Sequence, residues 1–392
     1  MTFAGTGSRA ARALAVAALA LAGALALAPG AEARVSCGGK KATIVGTGGN
    51  DKIRVPGDGH GKQVVNGLGG NDTIITGKAS DTICGGAGDD RLFAGKGSDR
   101  AFGGPGDDVI VNQKGRDRSY GEAGDDQMRG GPSRDFASGG AGNDVVDGSS
   151  DRDTLHGDSG DDTLLGDDGS DDMFGDDGND VMKGGSGGED MFGGPGDDRL
   201  FGELLDDDLN GDAGNDLIVG SHGIDTMRGG PGDDWLRGGT NKDRYQGDEG
   251  TDTASFMSAM PNEEFKSPLG VSVDLAAGVA QGPGGQDTLG SVENVLGSAF
   301  NDTLTGDGRA NRLDGSVGND QIRGGGARDQ LLGGPGNDSC PDWDGAEEAV
   351  RCGLRSAAEA PSDPRPSQAF AFIATRGPDP RLVVVGQGPN ST

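Results

Sequence analysis

The chain has 392 residues, of which only 32% are hydrophobic and 4% aromatic, while glycine alone supplies 80. That length would allow two or three ordinary domains, but the apolar content is too small for several conventional cores. With 64 acidic against 34 basic residues the formal net charge is −30, which repels nucleic acid and anionic lipid and invites cations.

Residues 1–33 read as a secretory signal peptide. Arg9 and Arg12 form a positive n-region, residues 13–28 an alanine and leucine h-region, and Ala31-Glu32-Ala33 a small-x-small cleavage pattern. As a membrane anchor the apolar run is short, about 16 residues where a span needs about 20. Nothing later is long and apolar enough to cross a bilayer, so the processed chain is expected to be secreted without a span. Export makes the four cysteines candidates for two disulfides with three possible connectivities. Cys37 with Cys84 and Cys340 with Cys352 are favoured, because each pair brackets one end of the repeats described next.

Residues 34–66 are expected to form an N-terminal cap containing a degenerate unit, GTGGNDKIR at 46–54, with Asp51 at its sixth position. From Gly67 to Ser255 the chain divides into 21 nonapeptides without insertion or deletion. Position six is Asp in 20 of the 21, with Glu189 the exception, and position eight is apolar or aromatic in 20, with Ser119 the exception. A high-charge, low-hydrophobicity chain would otherwise read as disordered, but a disordered polymer does not hold apolar residues at one phase over so many units. The first five or six residues of each unit are Gly, Asp, Asn and Pro, which supply tight turns. The last three, as in Arg91-Leu92-Phe93, read as a short strand with position eight inward and its neighbours outward. Two turns and two strands close one coil of 18 residues.

Units such as GGAGDDRLF at 85–93, GGPGDDVIV at 103–111 and GGPGDDWLR at 229–237 match GGxGxDxUx, with U apolar. The array therefore resembles the RTX, or haemolysin-type, calcium-binding repeat family. The resemblance implies an all-β, right-handed parallel β-roll, a β-helix solenoid with two nonapeptides per coil and several bound Ca²⁺ ions.

The units also alternate. Stepping by 18 from Gly67, eleven units keep Gly at position four, and ten of them have Asn or Asp at position five; the ten units between keep that Gly in only five. Units 18 apart stack on one edge, so one edge is expected to be built well for metal and the other poorly. On the strong edge Ca²⁺ would sit between successive turns, held by turn carbonyls and by the carboxylates of Asp72, Asp90, Asp108, Asp126, Asp144, Asp162, Asp180, Asp198, Asp216, Asp234 and Asp252, about ten ions in all. On the weak edge Lys78, Lys96, Lys114, Arg116, Arg134 and Arg152 also stack at 18-residue spacing. They are expected either to stand in part for Ca²⁺ against the remaining aspartates or to be ordinary solvated residues.

Residues 256–296 break the register and read as a linker in the form of an enlarged coil, with strand-like alternation at 271–275 and 291–295. Five more nonapeptides follow over 297–341, adding Asp302, Asp320 and Asp338 to the expected ligands, which also include Asp51. The same two-edged architecture is expected to resume there. Residues 342–392 would supply a C-terminal cap and tail, either a hairpin on the roll or a loosely held terminus.

No catalytic constellation stands out. His60, His156 and His222 lie far apart, and no HExxH or Cys/His cluster occurs. Gly184-Gly185-Ser186-Gly187-Gly188 satisfies GxSxG, but in a glycine-rich turn without the strand and helix of a nucleophile elbow. Related arrays often follow a protease or lipase domain, and about 33 residues between signal and array are too few for one. The expected function is calcium-dependent folding of an extracellular structural or interaction module, not an enzyme. The alternative is an adhesin or spacer that binds cell envelope or polysaccharide; a hydrolase is the least supported.

Overall fold

The computed structural model describes residues 36–55, 61–257 and 270–340, with the backbone of 349–351, 371–374 and 382–385. The expected signal peptide, Cys352 and most of the 342–392 tail lie outside the described residues. Among the described residues every regular element is a β-strand, and no helix there is long and apolar enough to cross a membrane.

The strands stack into two parallel sheets, forming the expected β-roll. The front sheet holds sixteen strands, from Lys52–Arg54 to Ala349–Arg351. The back sheet runs from Ile44–Val45 to Gln321–Arg323, and its end strands pair only with their neighbours, so it is open. Register advances by one coil at each step: Ile74 lies beside Leu92 and Leu92 beside Ile110 in front, while Val65, Ile83 and Ala101 align behind.

Position eight fills the interior. Ile74, Leu92, Met128, Leu164 and Leu236 from the front meet Ile83, Leu155, Met173, Met191 and Met227 from the back, all essentially without exposure. Each buried side chain of this kind contributes about 1.5–3 kcal/mol, yet each strand supplies only one, so the core is a thin pile. Its two polar members are satisfied: Asn112 Nδ2 donates to Ser119 Oγ at 2.7 Å, and Gly238 N–H donates to Tyr245 Oη at 2.8 Å. Outside the back sheet the rings of Phe102, Tyr120, Phe136, His156, Phe174 and Phe192 form a continuous stack, one coil apart at most steps.

The roll runs through the break in the repeats. Ser272–Asp274, Val279–Gly282 and Gly285–Gly290 form an antiparallel meander. Its last strand pairs in parallel with Arg244–Glu249 and its first with Thr303–Thr305. In front, Asn294–Leu296 lies directly on Thr253–Ser255. At the N-terminal end a hairpin, Ser36–Cys37 with Lys40–Lys41, is tied to the back sheet by the Cys37–Cys84 disulfide, Cα to Cα 5.7 Å. Cys340 is also disulfide-bonded.

Candidate metal centre

Turns passing from the back sheet to the front line one edge of the roll, here called the left; turns passing from front to back line the right. Asp51 and the eleven residues from Asp72 to Asp252 all lie on the left edge, immediately before a front strand. There the chain turns inward, so each side chain points along the stack. Asp72 N–H donates to Asp90 Oδ1 of the next coil at 2.7 Å, Asp90 N–H to Asp108 Oδ1 at 2.7 Å, and so on to Asp252. Position five forms a second ladder in the opposite direction: Asp107 N–H donates back to Asp89 Oδ1, and Asn143 N–H to Asp125 Oδ1. The Asn and Asp preference at position five therefore serves coil stacking.

The ladder uses one oxygen of each position-six carboxylate. The other, Oδ2, is buried without a hydrogen-bond partner in all eleven aspartates from Asp72 to Asp252. Glycine at position one makes room for it. A Cβ on Gly85 would lie 2.2 Å from Asp90 Oδ2 and 2.7 Å from the Gly103 carbonyl oxygen of the next coil, and one on Gly193 2.4 Å from Asp198 Oδ2 and 2.6 Å from the Gly211 oxygen. An anionic and a carbonyl oxygen thus approach one point with no donor between them. A buried, donor-less carboxylate is costly, and hard oxygens of these two kinds are what Ca²⁺ takes as ligands. Burial raises the proton affinity of these groups, to about 8 for Asp126, Asp162 and Asp198 and about 7 for Asp108, Asp216 and Asp234. The N–H bond from the preceding coil works against it, and the stacked carboxylates add to it. Among the described residues no three His, Cys, Asp or Glu side chains converge on one point. A metal here would have to take most of its ligands from turn carbonyls.

The right edge carries the same ladder, which sequence reasoning left out of the ligand set. Asp81 N–H donates to Asp99 Oδ1, Asp99 to Asp117, Asp117 to Asp135 and Asp135 to Asp153, at 2.6 to 2.7 Å. Asp99, Asp117, Asp135, Asp153, Asp171, Glu189, Asp207 and Asp225 all keep buried oxygens without partners. Burial, with acidic neighbours adding, pushes Asp135, Asp153 and Asp225 up to about 8. The acidic residue at position six of every unit, Asp in all but Glu189, was the signal available in the sequence. Poor matches at positions four and five masked it.

This edge has two parts. From Gly130 onward its turns copy the left edge, with position two in the left-handed region even where it is Ser149, Asp167 or Glu203. A Cβ on Gly166 would again meet the next coil's carbonyl and its own unit's Asp171 Oδ2. In the first three turns position one is instead Thr76, Ala94 or Asn112, all buried, and the side chain fills that space. The stacked cations do not reach the orphaned oxygens of Asp99, Asp117, Asp135 and Asp153; Arg152 bonds the outward-facing Asp172 at 2.6 Å. The orphaned oxygens of those four aspartates are thus not partnered by the cations stacked on this edge. Ser186 of the GxSxG stretch donates to Asp168 at 2.6 Å, in a repeat turn.

Past the linker the two edges exchange roles, contrary to the expectation of a simple resumption. Asp302, Asp320 and Asp338 precede back-sheet positions, so they continue the right-hand column after Asp243 and Asp287. The left column passes through Glu293, Asn311 and Asp329. Asp320 and Asp338 keep an unpartnered Oδ2. Asp51 and Asp302 do not: Thr47 bonds the first, and Ser298 N–H and Oγ bond the second.

A parallel solenoid whose edges present, coil after coil, a buried carboxylate oxygen facing a turn carbonyl is a β-roll of the cation-binding class. The RTX calcium-binding nonapeptide repeat family, whose pattern spans four copies of the repeat, matches residues 61–92, 85–118, 113–146, 120–155, 147–182, 183–218, 219–254 and 305–340. These matches cover more than half of the chain, and the chain belongs to that family. Its repeats bind calcium ions, several to an array, and its β-roll is structural and non-catalytic. No curated protein shows significant similarity to the chain.

Proposed function

We propose that this calcium-binding repeat protein is a secreted, extracellular structural or interaction module that folds as it takes up calcium. The observation carrying this reading is the pair of columns of buried, unpartnered carboxylate oxygens. On the left edge Asp72 to Asp252 would hold the ions with the carbonyls of the neighbouring turns. On the right edge Asp135, Asp153, Asp171, Glu189, Asp207 and Asp225 would do so in the first array, and Asp320 and Asp338 in the second. Bound calcium supplies positive charge that neutralises the stacked carboxylates, so binding free energy becomes folding free energy. The core is one side chain thick, and the charge of −30 opposes collapse without cations. Secretion rests on the signal-like residues 1–33.

Circular dichroism with and without chelator, alongside calcium calorimetry on the processed chain, tests the reading. The β signal should collapse on chelation and return with uptake of many equivalents of calcium. A β signal indifferent to chelator refutes the coupling.

A further inference from the structure

The left edge loses its metal-type turn where the edges exchange roles, and the residues there differ from those of every coil below. The unit GDGRAN at 306–311 has a cation, Arg309, at position four and a neutral amide, Asn311, in place of the position-six carboxylate. Asn311 keeps the geometry: a Cβ on Gly306 would lie 2.5 Å from Asn311 Oδ1 and 2.1 Å from the Gly324 carbonyl oxygen, the same crossing of oxygens found at Gly85. The Arg309 guanidinium reaches back to the preceding coil, where Nη1 donates to Glu293 Oε1 while Nε bonds Asp307 Oδ2 at 2.9 Å. Glu293 is the left column's own next member, since its Oε2 accepts Asp252 N–H at 3.1 Å. Asp307 Oδ1 further accepts the Arg309 N–H at 2.7 Å.

We propose that Arg309 is a tethered cation which takes the place of calcium between the Glu293 and Asn311 turns and so ends the left-edge metal column above Asp252. The inference rests on the position-six carboxylates being the calcium ligands. One lost negative charge and one fixed positive charge leave Glu293, Asp307 and Arg309 with a single net negative charge in this gap without metal. A guanidinium suits the task because it remains charged and its fork spans two carboxylates. The coil at the exchange point would then be ordered at calcium levels too low to load the array. It would supply a seam from which either column could zip.

The test compares Arg309→Gln, Arg309→Lys and the double variant Arg309→Gln/Glu293→Gln in the full processed chain. Calcium per chain is measured by elemental analysis, and hydrogen exchange of peptides covering 293–314 is followed across a calcium titration. Arg309→Gln should raise the calcium concentration at which 293–314 becomes protected by tenfold or more, or add up to one bound equivalent. Arg309→Lys and the double variant should stay close to the wild-type curve. If all three variants behave alike, Arg309 is a packing residue and the proposal falls; if Arg309→Gln leaves both readouts unchanged, it falls equally. Asp234→Asn, run in parallel, separates the two readings: if it loses no calcium, the ligand assignment fails, whatever Arg309 does.

Discussion

The two edges of the first array share a backbone ladder and a column of buried carboxylates, yet they match the family pattern very differently. On the left every turn has glycine at position four and all eleven aspartates keep a donor-less oxygen. On the right the match is poor, but seven turns from Gly130 onward adopt the same path, with Ser133, Asp151, Leu205 and Asn241 accepting the left-handed conformation that glycine takes opposite. Only the first three right-hand turns differ in kind, because Thr76, Ala94 and Asn112 occupy the space that position-one glycine leaves open. Side-chain volume at position one, rather than closeness to the consensus at positions four and five, separates a turn that can present two oxygens to a cation from one that cannot.

Removing calcium acts on both edges and should have the largest effect, loss of most of the β signal. Acid should partly reverse it. In the metal-free roll the position-six carboxylates have proton affinities raised from 3.8 to between about 6 and 8. The folded state therefore binds more protons than the unfolded chain, and its stability falls as pH rises from about 4 through about 8. In chelator the β signal should be stronger at pH 4.5 than at pH 8, and calcium binding between those limits should release protons, measurable by calorimetry in buffers of different ionisation enthalpy. Equal signals at the two pH values would mean that these carboxylates are not desolvated.

Single substitutions probe the difference between the edges directly. Gly193→Val places a side chain against Asp198 Oδ2 and the Gly211 carbonyl, and should cost at least one calcium equivalent. Thr76→Val, at the same position of the right edge, should cost none. It removes a buried hydroxyl without a partner, so chemical denaturation should show unchanged or slightly higher stability, by up to about 1 kcal/mol. A smaller and sharper effect is expected from Asn112→Gly, which opens the last closed right-hand turn. It should add a weak calcium site if position-one volume is the deciding factor. Arg152→Gln, which breaks only a surface pair with Asp172, should leave calcium content and the denaturation midpoint unchanged.

Much of this protein is legible without coordinates because a solenoid makes long-range structure out of a short period. Fixing the phase of Ile74, Ile83 and Leu92 inward and of Asp72, Asp81 and Asp90 at the corners fixes every later coil, since each stacks on the one before. The sequence by itself therefore determined the β-roll, its interior, the corner aspartates and the family. The interactions that depend on how coils meet were decided by the tertiary structure. One is the use of one carboxylate oxygen for stacking, which leaves its twin without a donor on both edges. The other is the exchange of edges at 270–296, where a three-stranded meander enters the back sheet and shifts the alternation by half a coil. Counting residues through that segment does not reveal the shift, because only strand pairing shows which sheet the chain has re-entered when Asp302 turns inward and Arg309 reaches Glu293.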